Sequence, residues 1–337
     1  MPNLYPYGKV PIEVLRKKVL PYVGASRSDV LLGPKAGEDA AVLSLNGQVI
    51  VAANDPVTGS RDLVGYLAVH VNANDVAVRG VRPRWFSSCI LLSPSSSMKD
   101  LETIVGQVHR AAKSLGVAVV TGHSEVTPGL VNPIVVGEMI GVAEDGRYVT
   151  TGGATPGDVI LMTKAAGLEG TAILARDMRG VLKRTFSPRL LRQAALFRRR
   201  ISVVNDALTA FNTGGVTGLH DPTEGGILGG LYEVAEASHC GFSVYEDRIP
   251  VERETRAICK FFDADPLRLM GSGALLICAR QSSSDEIIQR LKRRRIACSR
   301  IGQVHRGRRR ALIRRDGSEI RVREAEDELW RILSEST

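Results

Sequence analysis

Aspartates in glycine-containing loops recur along this 337-residue chain. Asp39 lies in GEDAAVL, Asp55 closes an apolar run in AANDPVTG, Asp75 lies in NANDVAVRG and Asp221 opens DPTEGG. Carboxylates supplied by several segments are suitable ligands for a hard cation that bridges phosphate groups. Glycine-rich backbone beside them lets N–H groups approach the phosphate anion. A turn or a helix cap is the simpler explanation of any one of them. Their recurrence favours magnesium with a nucleotide over zinc, because these loops and the further glycine-containing segment TGHSEVTPG together hold one histidine and no cysteine.

The one histidine is His123, in TGHSEVTPG, where we expect it to follow a strand together with Glu125. A histidine there could ligate a metal or act as a general base, because its ordinary pKa lies near neutrality. A loop histidine without a ligand is the alternative.

The elements that would position these residues alternate between strand and helix in both halves of the chain. Two apolar runs joined by Asn46-Gly47 predict a β-hairpin, and a second hairpin is predicted around Asp316-Gly317. The stretch TTGGATPGD, residues 150–158, concentrates glycine, proline and threonine as a linker would. Together with the chain length this predicts two domains, residues 1–150 and 157–337.

Composition narrows the class of protein further. No apolar run is long enough to span a membrane and the start lacks signal-peptide features, so we expect a cytoplasmic protein with no membrane partner. Five scattered cysteines without a CxxC pair argue against a disulfide framework or structural zinc. Of the net charge of +9, residues 181–337 carry +8. This half could attract nucleic acid, but its arginine runs lack interleaved aromatic residues, which favours a solvated surface.

Five ordered segments resemble one superfamily. They are GEDAAVL, HVNANDVAVRGVRPRWF, VVTGHSEV, TKAAGLEGTAILARD and DPTEGGILGGLYEVAEAS. Their order and intervals are similar to those of aminoimidazole ribonucleotide (AIR) synthetase, selenophosphate synthetase, thiamine monophosphate kinase and the hydrogenase maturation protein HypE. The chain resembles HypE and HypE-like AIR synthase-related proteins most closely.

This resemblance implies an α+β fold of the PurM-like type. The N-terminal α/β domain would contribute strands to a dimeric barrel in a homodimer, and the C-terminal domain would be an α/β sandwich. ATP would lie at the cleft between them, with Mg²⁺ on its phosphates. The matching motifs imply Asp39, Asp55 and Asp75 as metal ligands, and Asp221 with His123 as catalytic residues. The residues placed at the nucleotide are Gly8, Lys9, Gly37, Asn74, Lys164, Thr223, Gly225 and Gly226. Lys9 could instead be a surface lysine, and Lys164 could instead serve only to cap the strand that it follows.

Departures from the relatives leave three functions open. HypE carries a terminal acceptor cysteine where this chain reads WRILSEST, and Glu224 replaces the arginine of the HypE motif DPTRGG. We expect an ATP- and magnesium-dependent enzyme that activates an amide, carbamoyl or phosphate oxygen, and that differs from HypE proper. The alternatives are a small-molecule kinase similar to thiamine monophosphate kinase, and a non-catalytic nucleotide-binding protein whose basic half binds a partner.

Overall fold

The first sheet is built around the Asn46-Gly47 turn. The computed structural model of the chain describes residues 7–60, 62–143 and 145–335. Asn46 and Gly47 have φ values of 50° and 81°, a region that these two residue types tolerate. The strands on either side pair in antiparallel fashion, which confirms the predicted hairpin.

Six strands form this sheet in the order β1-β2-β3-β6-β4-β5. Only the β4–β5 pair is parallel; the other neighbours are antiparallel. Along the edge strand β5 every residue is solvent-exposed. The strands are β1 (Val30–Leu32), β2 (Ala41–Leu45), β3 (Gln48–Val57), β4 (Pro83–Leu92), β5 (Ala118–Val126) and β6 (Ile134–Ala143).

Two long helices cover one face of the first sheet. Helix α2 (Val64–Ala77) is buried on almost all sides, and α3 (Met98–Leu115) packs outside it with a polar outer face. The close approach depends on Gly65, because a Cβ there would lie 2.5 Å from the carbonyl oxygen of Ile104. Helix α2 therefore lies between the sheet and the second domain.

The second domain contains a seven-stranded sheet in the order β13-β12-β9-β11-β7-β10-β8. The predicted hairpin at Asp316-Gly317 is confirmed, since it joins the last two strands. The strands are β7 (Val159–Thr163), β8 (Val216–His220), β9 (Gly241–Tyr245), β10 (Leu276–Ala279), β11 (Cys298–His305), β12 (Arg310–Ile313) and β13 (Glu319–Arg321).

The remaining helices surround this second sheet, apart from the short N-terminal helix. None of the described helices is long and apolar enough to cross a membrane. The helices are α1 (Ile12–Val14, continued by the π-helix Leu15–Val19), α4 (Leu168–Asp177), α5 (Arg179–Leu182), α6 (Pro188–Leu196), α7 (Val204–Thr213), α8 (Gly226–Ala237), α9 (Arg253–Phe261), α10 (Gln281–Arg293) and α11 (Glu328–Glu335).

The segment between the two sheets is packed rather than loose, contrary to the linker expected from TTGGATPGD. It forms a short 3₁₀ helix, Thr151–Gly153, and Thr151 is fully buried. Gly153 lies so close to the second domain that a Cβ would meet the carbonyl oxygen of Thr217 at 2.0 Å. The small residues therefore permit contact between domains, and this part of the linker prediction is wrong.

Candidate functional site

A cleft of about 500 Å³ lies between the two domains. The first domain lines it with the end of β3 and the inner face of α2, and the second with α4 and the turn after β8. The N-terminal segment and Trp330 of α11 close one side. Its lining includes Tyr7, Gly8, Lys9, Asp55, Pro56, Val57, Thr58, Gly59, Ser60, Leu67, Val71, Glu169, Ile173, Thr223, Glu224, Met270, Ser272 and Trp330.

Four aspartates converge beside this cleft from four different elements. Asp39 precedes β2, Asp55 lies on β3, Asp75 lies in the last turn of α2, and Asp221 directly follows β8. They are close enough to repel one another, since Asp55, Asp221 and Asp39 each raise the pKa of Asp75. The side chain of Asn72 fixes the backbone of Asp55 from both sides, accepting from its N–H at 2.8 Å and donating to its carbonyl at 3.1 Å.

Asp75 and Asp221 are buried acids without enough nearby positive charge. Burial and then the charges of neighbouring aspartates raise the pKa of each well above its ordinary range. Both carboxylate oxygens of Asp221 are buried, and neither has a hydrogen-bond partner among the described residues. Leaving a carboxylate buried and unpaired is costly, so this group fits a bound cation.

The described residues do not enclose such a cation by themselves. No three histidine, cysteine, aspartate or glutamate side chains in the described ranges lie close enough to form a metal site. Any ion held among these aspartates would therefore need further oxygen ligands.

Asp39, in contrast, is held by cations. Its carboxylate contacts His220 at 3.0 Å and Arg79 at 3.4 Å, and accepts a hydrogen bond from Thr151 at 3.0 Å. Burial alone would raise the pKa of Asp39, but His220, Arg79 and Lys9 lower it to about 2. Asp39 is thus ionised at neutral pH. Asp55 differs, because burial raises its pKa to about 6 against the attraction of Lys9.

His220 connects Asp39 to a second acid. Its Nδ1 faces Asp39, and its Nε2 lies 2.9 Å from Glu233 of α8. Burial opposes its charge, but the two carboxylates raise the pKa of His220 to about 10. Glu233 in turn pairs with the ammonium of Lys9 at 3.2 Å. Half of the Lys9 side chain is exposed, so water weakens this outer pair.

Glu38 performs a structural task beside Asp39. One of its oxygens accepts from the N–H of Thr151 and lies 3.0 Å from the buried guanidinium of Arg79, and the other accepts from the N–H of Gly152. The paired acids of GEDAAVL therefore divide their roles. Glu38 fixes the segment between the domains, and Asp39 faces the cluster.

Comparison with known proteins agrees with this architecture. Models of the N-terminal and C-terminal domains of AIR synthase related proteins match residues 37–143 and 155–315. The chain belongs to the AIR synthase related protein family. The hydrogenase expression/formation protein HupE of Azotobacter chroococcum mcd 1 is 30% identical over 266 residues, 75% of this chain and 74% of HupE.

Two further relatives of this AIR synthase related protein extend the comparison. The carbamoyl dehydratase HypE of Rhizobium leguminosarum bv. viciae is 29% identical over 263 residues, 75% of this chain and 72% of that protein. The crystal structure of a hydrogenase maturation protein HypE in complex with ATP superposes with a TM-score of 0.71 at 23% identity, covering 97% of this chain and 98% of that one. The fold is PurM-like, with two α+β domains, as the sequence resemblance implied.

The DPTEGG turn of this AIR synthase related protein lies at the cleft, but the N–H groups of its two glycines are already bonded. The N–H of Gly225 donates to Asp327 at 2.7 Å, and that of Gly226 donates to the carbonyl of Thr223 at 3.2 Å. Gly226 has a φ of 60°, and a Cβ there would lie 2.6 Å from the carbonyl oxygen of Leu267. The glycines thus allow tight packing, and Thr223 lines the cleft.

Two other predicted glycines lie at contacts between the domains. Gly8 is packed between Glu224 and Trp330, and the backbone N–H of Lys9 donates to Glu224. Gly37 approaches the carbonyl oxygen of Glu233, which a Cβ would meet at 2.8 Å. Gly8 and Lys9 therefore lie at the cleft, while Gly37 brings the Asp39 loop against α8.

Two residues predicted at the nucleotide have other partners. The amide of Asn74 donates to the carbonyl of Ile201 at 3.1 Å and accepts from the N–H of Val203 at 2.8 Å. The ammonium of Lys164 lies 3.1 Å from Asp206 and donates to the carbonyl of Ser202 at 2.7 Å. The structure gives Asn74 a role in joining α2 to the second domain, and Lys164 a role in anchoring the segment before α7.

His123 lies away from the aspartates within one chain. It stands within β5 rather than after a strand, is 64% exposed, and pairs with Glu125 at 3.1 Å. Strands β6 and β4 separate β5 from β3, a distance of about 14 Å at the usual strand spacing. The structure therefore does not bring His123 to Asp55 or Asp221.

Sequence reasoning missed four residues of the site: Arg79, Glu169, His220 and Trp330. His220 directly precedes the aspartate of DPTEGG, and its position beside a predicted site residue was the available signal. Arg79 lies two residues after the end of α2 and Glu169 lies in the first turn of α4, both beside apolar runs, where an ionisable residue is rarely buried without a partner. Nothing in the sequence pattern indicates Trp330, which reaches the cleft only because α11 folds back to Gly8 and Gly59.

Proposed function

We propose that this protein binds ATP with Mg²⁺ in the cleft and transfers the γ-phosphoryl group to an oxygen of an amide, carbamoyl or phosphate acceptor. The observation that carries the proposal is the group of buried aspartates, with Asp221 lacking a hydrogen-bond partner, beside Lys9 at the junction of the domains. The fold neighbour solved in complex with ATP supports ATP as the ligand.

The aspartates of the site would bind the metal ion. Asp39, Asp55 and Asp75 from the first domain, with Asp221 from the second, would hold the cation. A bound magnesium ion supplies positive charge that offsets the charge developing on the phosphoryl oxygens. Phosphate oxygens would complete the ligands that the protein does not provide.

Lys9 and the walls of the cleft would position the reacting groups. The Lys9 ammonium interacts with Asp55 and Asp39, so it lies where it could approach a phosphate beside the metal. The acceptor oxygen attacks the γ-phosphorus, the bond to the bridging oxygen breaks, and ADP leaves. Because little covalent chemistry is needed from side chains, positioning and charge carry most of the catalysis.

We also propose a homodimer formed by the N-terminal domain. All residues of β5 are exposed although the strand contains three valines, and Val119, Val120 and Val126 are about half exposed or more. An open edge of this kind pairs readily with another strand. A second copy would cover it and bring the partner's sheet close to His123.

The direct test is calorimetric titration with a non-hydrolysable ATP analogue, with and without magnesium. We expect magnesium-dependent binding in the wild type and its loss in Asp75→Asn. Asp247→Asn, an exposed aspartate of the second domain, is the matched control and should bind as the wild type does. If the analogue binds equally well without magnesium and to Asp75→Asn, the proposed site is refuted. If ATP binds but no acceptor is phosphorylated, the non-catalytic alternative is favoured.

A further inference from the structure

Helices α6 and α9 of the second domain form a basic surface away from the cleft. Residues 178–205, which include α6, carry eight lysines and arginines and no aspartate or glutamate. A groove of about 600 Å³ opens between the two helices, and its described lining residues are Ser187, Arg189, Leu190, Gln193, Arg253 and Glu254. None of these six residues lines the cleft between the domains. The groove is therefore a separate feature of the second domain.

The two helices run in opposite directions along the groove. Phe186, two residues before α6, contacts Phe261, the last residue of α9, with ring centroids 5.7 Å apart. At the other end Arg200, which follows α6, pairs at 2.6 Å with Glu252, which directly precedes α9. Because a helix rises by about 1.5 Å per residue, α9 gives the groove a length of about 12 Å. An aromatic pair thus lies at one end of the groove and arginines lie along it.

Four arginines of this surface carry charge that the protein does not neutralise. Arg189 and Arg253 line the groove, and Arg192 and Arg256 lie about one turn further along the same two helices. All four are exposed, and none forms an ion pair with another described residue. Glu254 is the one carboxylate among the described residues that line the groove. Because unpaired like charges repel one another, this surface favours a partner with several negative charges.

We propose that this surface binds single-stranded nucleic acid, with phosphates on the four arginines and a base stacked on the ring of Phe261. The ring is 38% exposed, and Phe186 and Phe262 hold it by edge contacts. A fixed, partly exposed ring beside cations gives a base a surface on which to stack. The RRR runs of the sequence contain no aromatic residue, and the fold supplies the ring from α9.

The chemistry of the surface favours a single strand over the other polyanions. A guanidinium group can donate two parallel hydrogen bonds to one phosphate, and it also stacks on bases. In a duplex the bases are already stacked on one another, so they cannot use the Phe261 ring. An acidic peptide would neutralise the arginines but gains nothing comparable from the ring.

Fluorescence anisotropy of a fluorescein-labelled uridine oligonucleotide of about 12 nucleotides tests the proposal. Four neutralised phosphates predict a slope of about −3 for the logarithm of the association constant against the logarithm of the salt concentration. Binding should therefore weaken about 50-fold between about 50 mM and about 200 mM salt. The same strand paired with its complement should bind more weakly than the single strand.

Three variants of the protein locate the binding surface. Arg189→Gln combined with Arg253→Gln removes two phosphate contacts and should reduce the salt slope to about −1.4. Phe261→Leu keeps an apolar side chain without the ring, and should weaken binding at least about fivefold with the slope unchanged. Arg306→Gln combined with Arg308→Gln is the matched control, because it removes the same charge from the exposed turn between β11 and β12. This control should bind as the wild type does.

Several results would overturn the proposal. They are the absence of salt-dependent binding, an equal loss of binding in the Arg306 and Arg308 control, and an unchanged affinity of Phe261→Leu. Displacement of the strand by an oligoglutamate peptide of equal charge, or equal binding of the duplex, would show a general anion-binding surface instead. Displacement of the strand by the ATP analogue with magnesium would place it in the cleft.

Discussion

Replacing Glu169 by glutamine should stabilise the protein above neutral pH and change its stability little in acid. Glu169 is 4% exposed, and burial raises its pKa from the ordinary 4.5 to about 7. The folded protein therefore holds the proton more tightly than the unfolded chain does. For a carboxyl group with a raised pKa, the free energy of unfolding falls as pH rises from the unfolded value to the folded one. The window here is about pH 4.5 to about pH 7.

The expected magnitude follows from these two pKa values. A pKa difference of one corresponds to about 1.4 kcal/mol, so the rise from 4.5 to about 7 is worth about 3 kcal/mol above neutrality. At about pH 5 most of this penalty is absent, because the folded carboxyl group is still protonated. Glutamine has no proton to lose and escapes the penalty at every pH.

Urea denaturation of the wild type and Glu169→Gln at about pH 5 and about pH 8 measures this effect. The variant's advantage should grow by about 2–3 kcal/mol between the two pH values. Taking the difference between the proteins removes the contribution of other titrating groups. Glu102→Gln, on the exposed face of α3, serves as the control for loss of one negative charge. An advantage that stays constant with pH, or a variant that is less stable at about pH 8, would refute the reasoning about Glu169.

Three other substitutions test the surroundings of the site. Arg79→Met leaves the carboxylates of Glu38 and Asp39 buried without the guanidinium that pairs with them. In urea denaturation the free energy of unfolding should therefore fall by about 3–5 kcal/mol, and a fall below about 1 kcal/mol would contradict this. Asn74→Ala removes two hydrogen bonds between the domains and should cost about 2 kcal/mol by the same measurement, and a neutral result would show that water replaces them. Val120→Lys should convert a dimer to a monomer in sedimentation velocity, whereas an unchanged dimer would place the interface elsewhere.

The local sequence pattern was sufficient to predict most of the secondary-structure elements. The Asn46-Gly47 and Asp316-Gly317 hairpins form as predicted, because turn geometry depends on the residues in the turn itself. The alternation of strands and helices was also readable, since burial on one face imposes a period on the sequence. The ordered motifs indicated the family, because several of them together are far more specific than any one.

The local sequence pattern did not predict the contacts of side chains whose partners lie far along the chain. Asn74 directly precedes Asp75, yet it turns towards Ile201 and Val203, 127 and 129 residues away. Lys164 ends a strand in a segment that resembles a nucleotide-binding motif, yet it binds Asp206. His123 was expected beside the acids, but strand order places β5 at the far edge of the sheet. The first part of the linker expected at residues 150–158 is packed for the same reason, because the contacts of the helix Thr151–Gly153 come from both domains.

The sequence by itself determined the elements, the two-domain organisation and the family, because these depend on local geometry, periodicity and ordered motifs. It also named the aspartates, since carboxylates beside glycine are visible wherever they occur. Only the tertiary structure decided what surrounds them. Arg79 and His220 keep Asp39 ionised, Asp221 is left without a described hydrogen-bond partner, and Glu169 becomes a buried acid at the cleft. Charge and burial are properties of neighbours in space, and the neighbours here come from both domains.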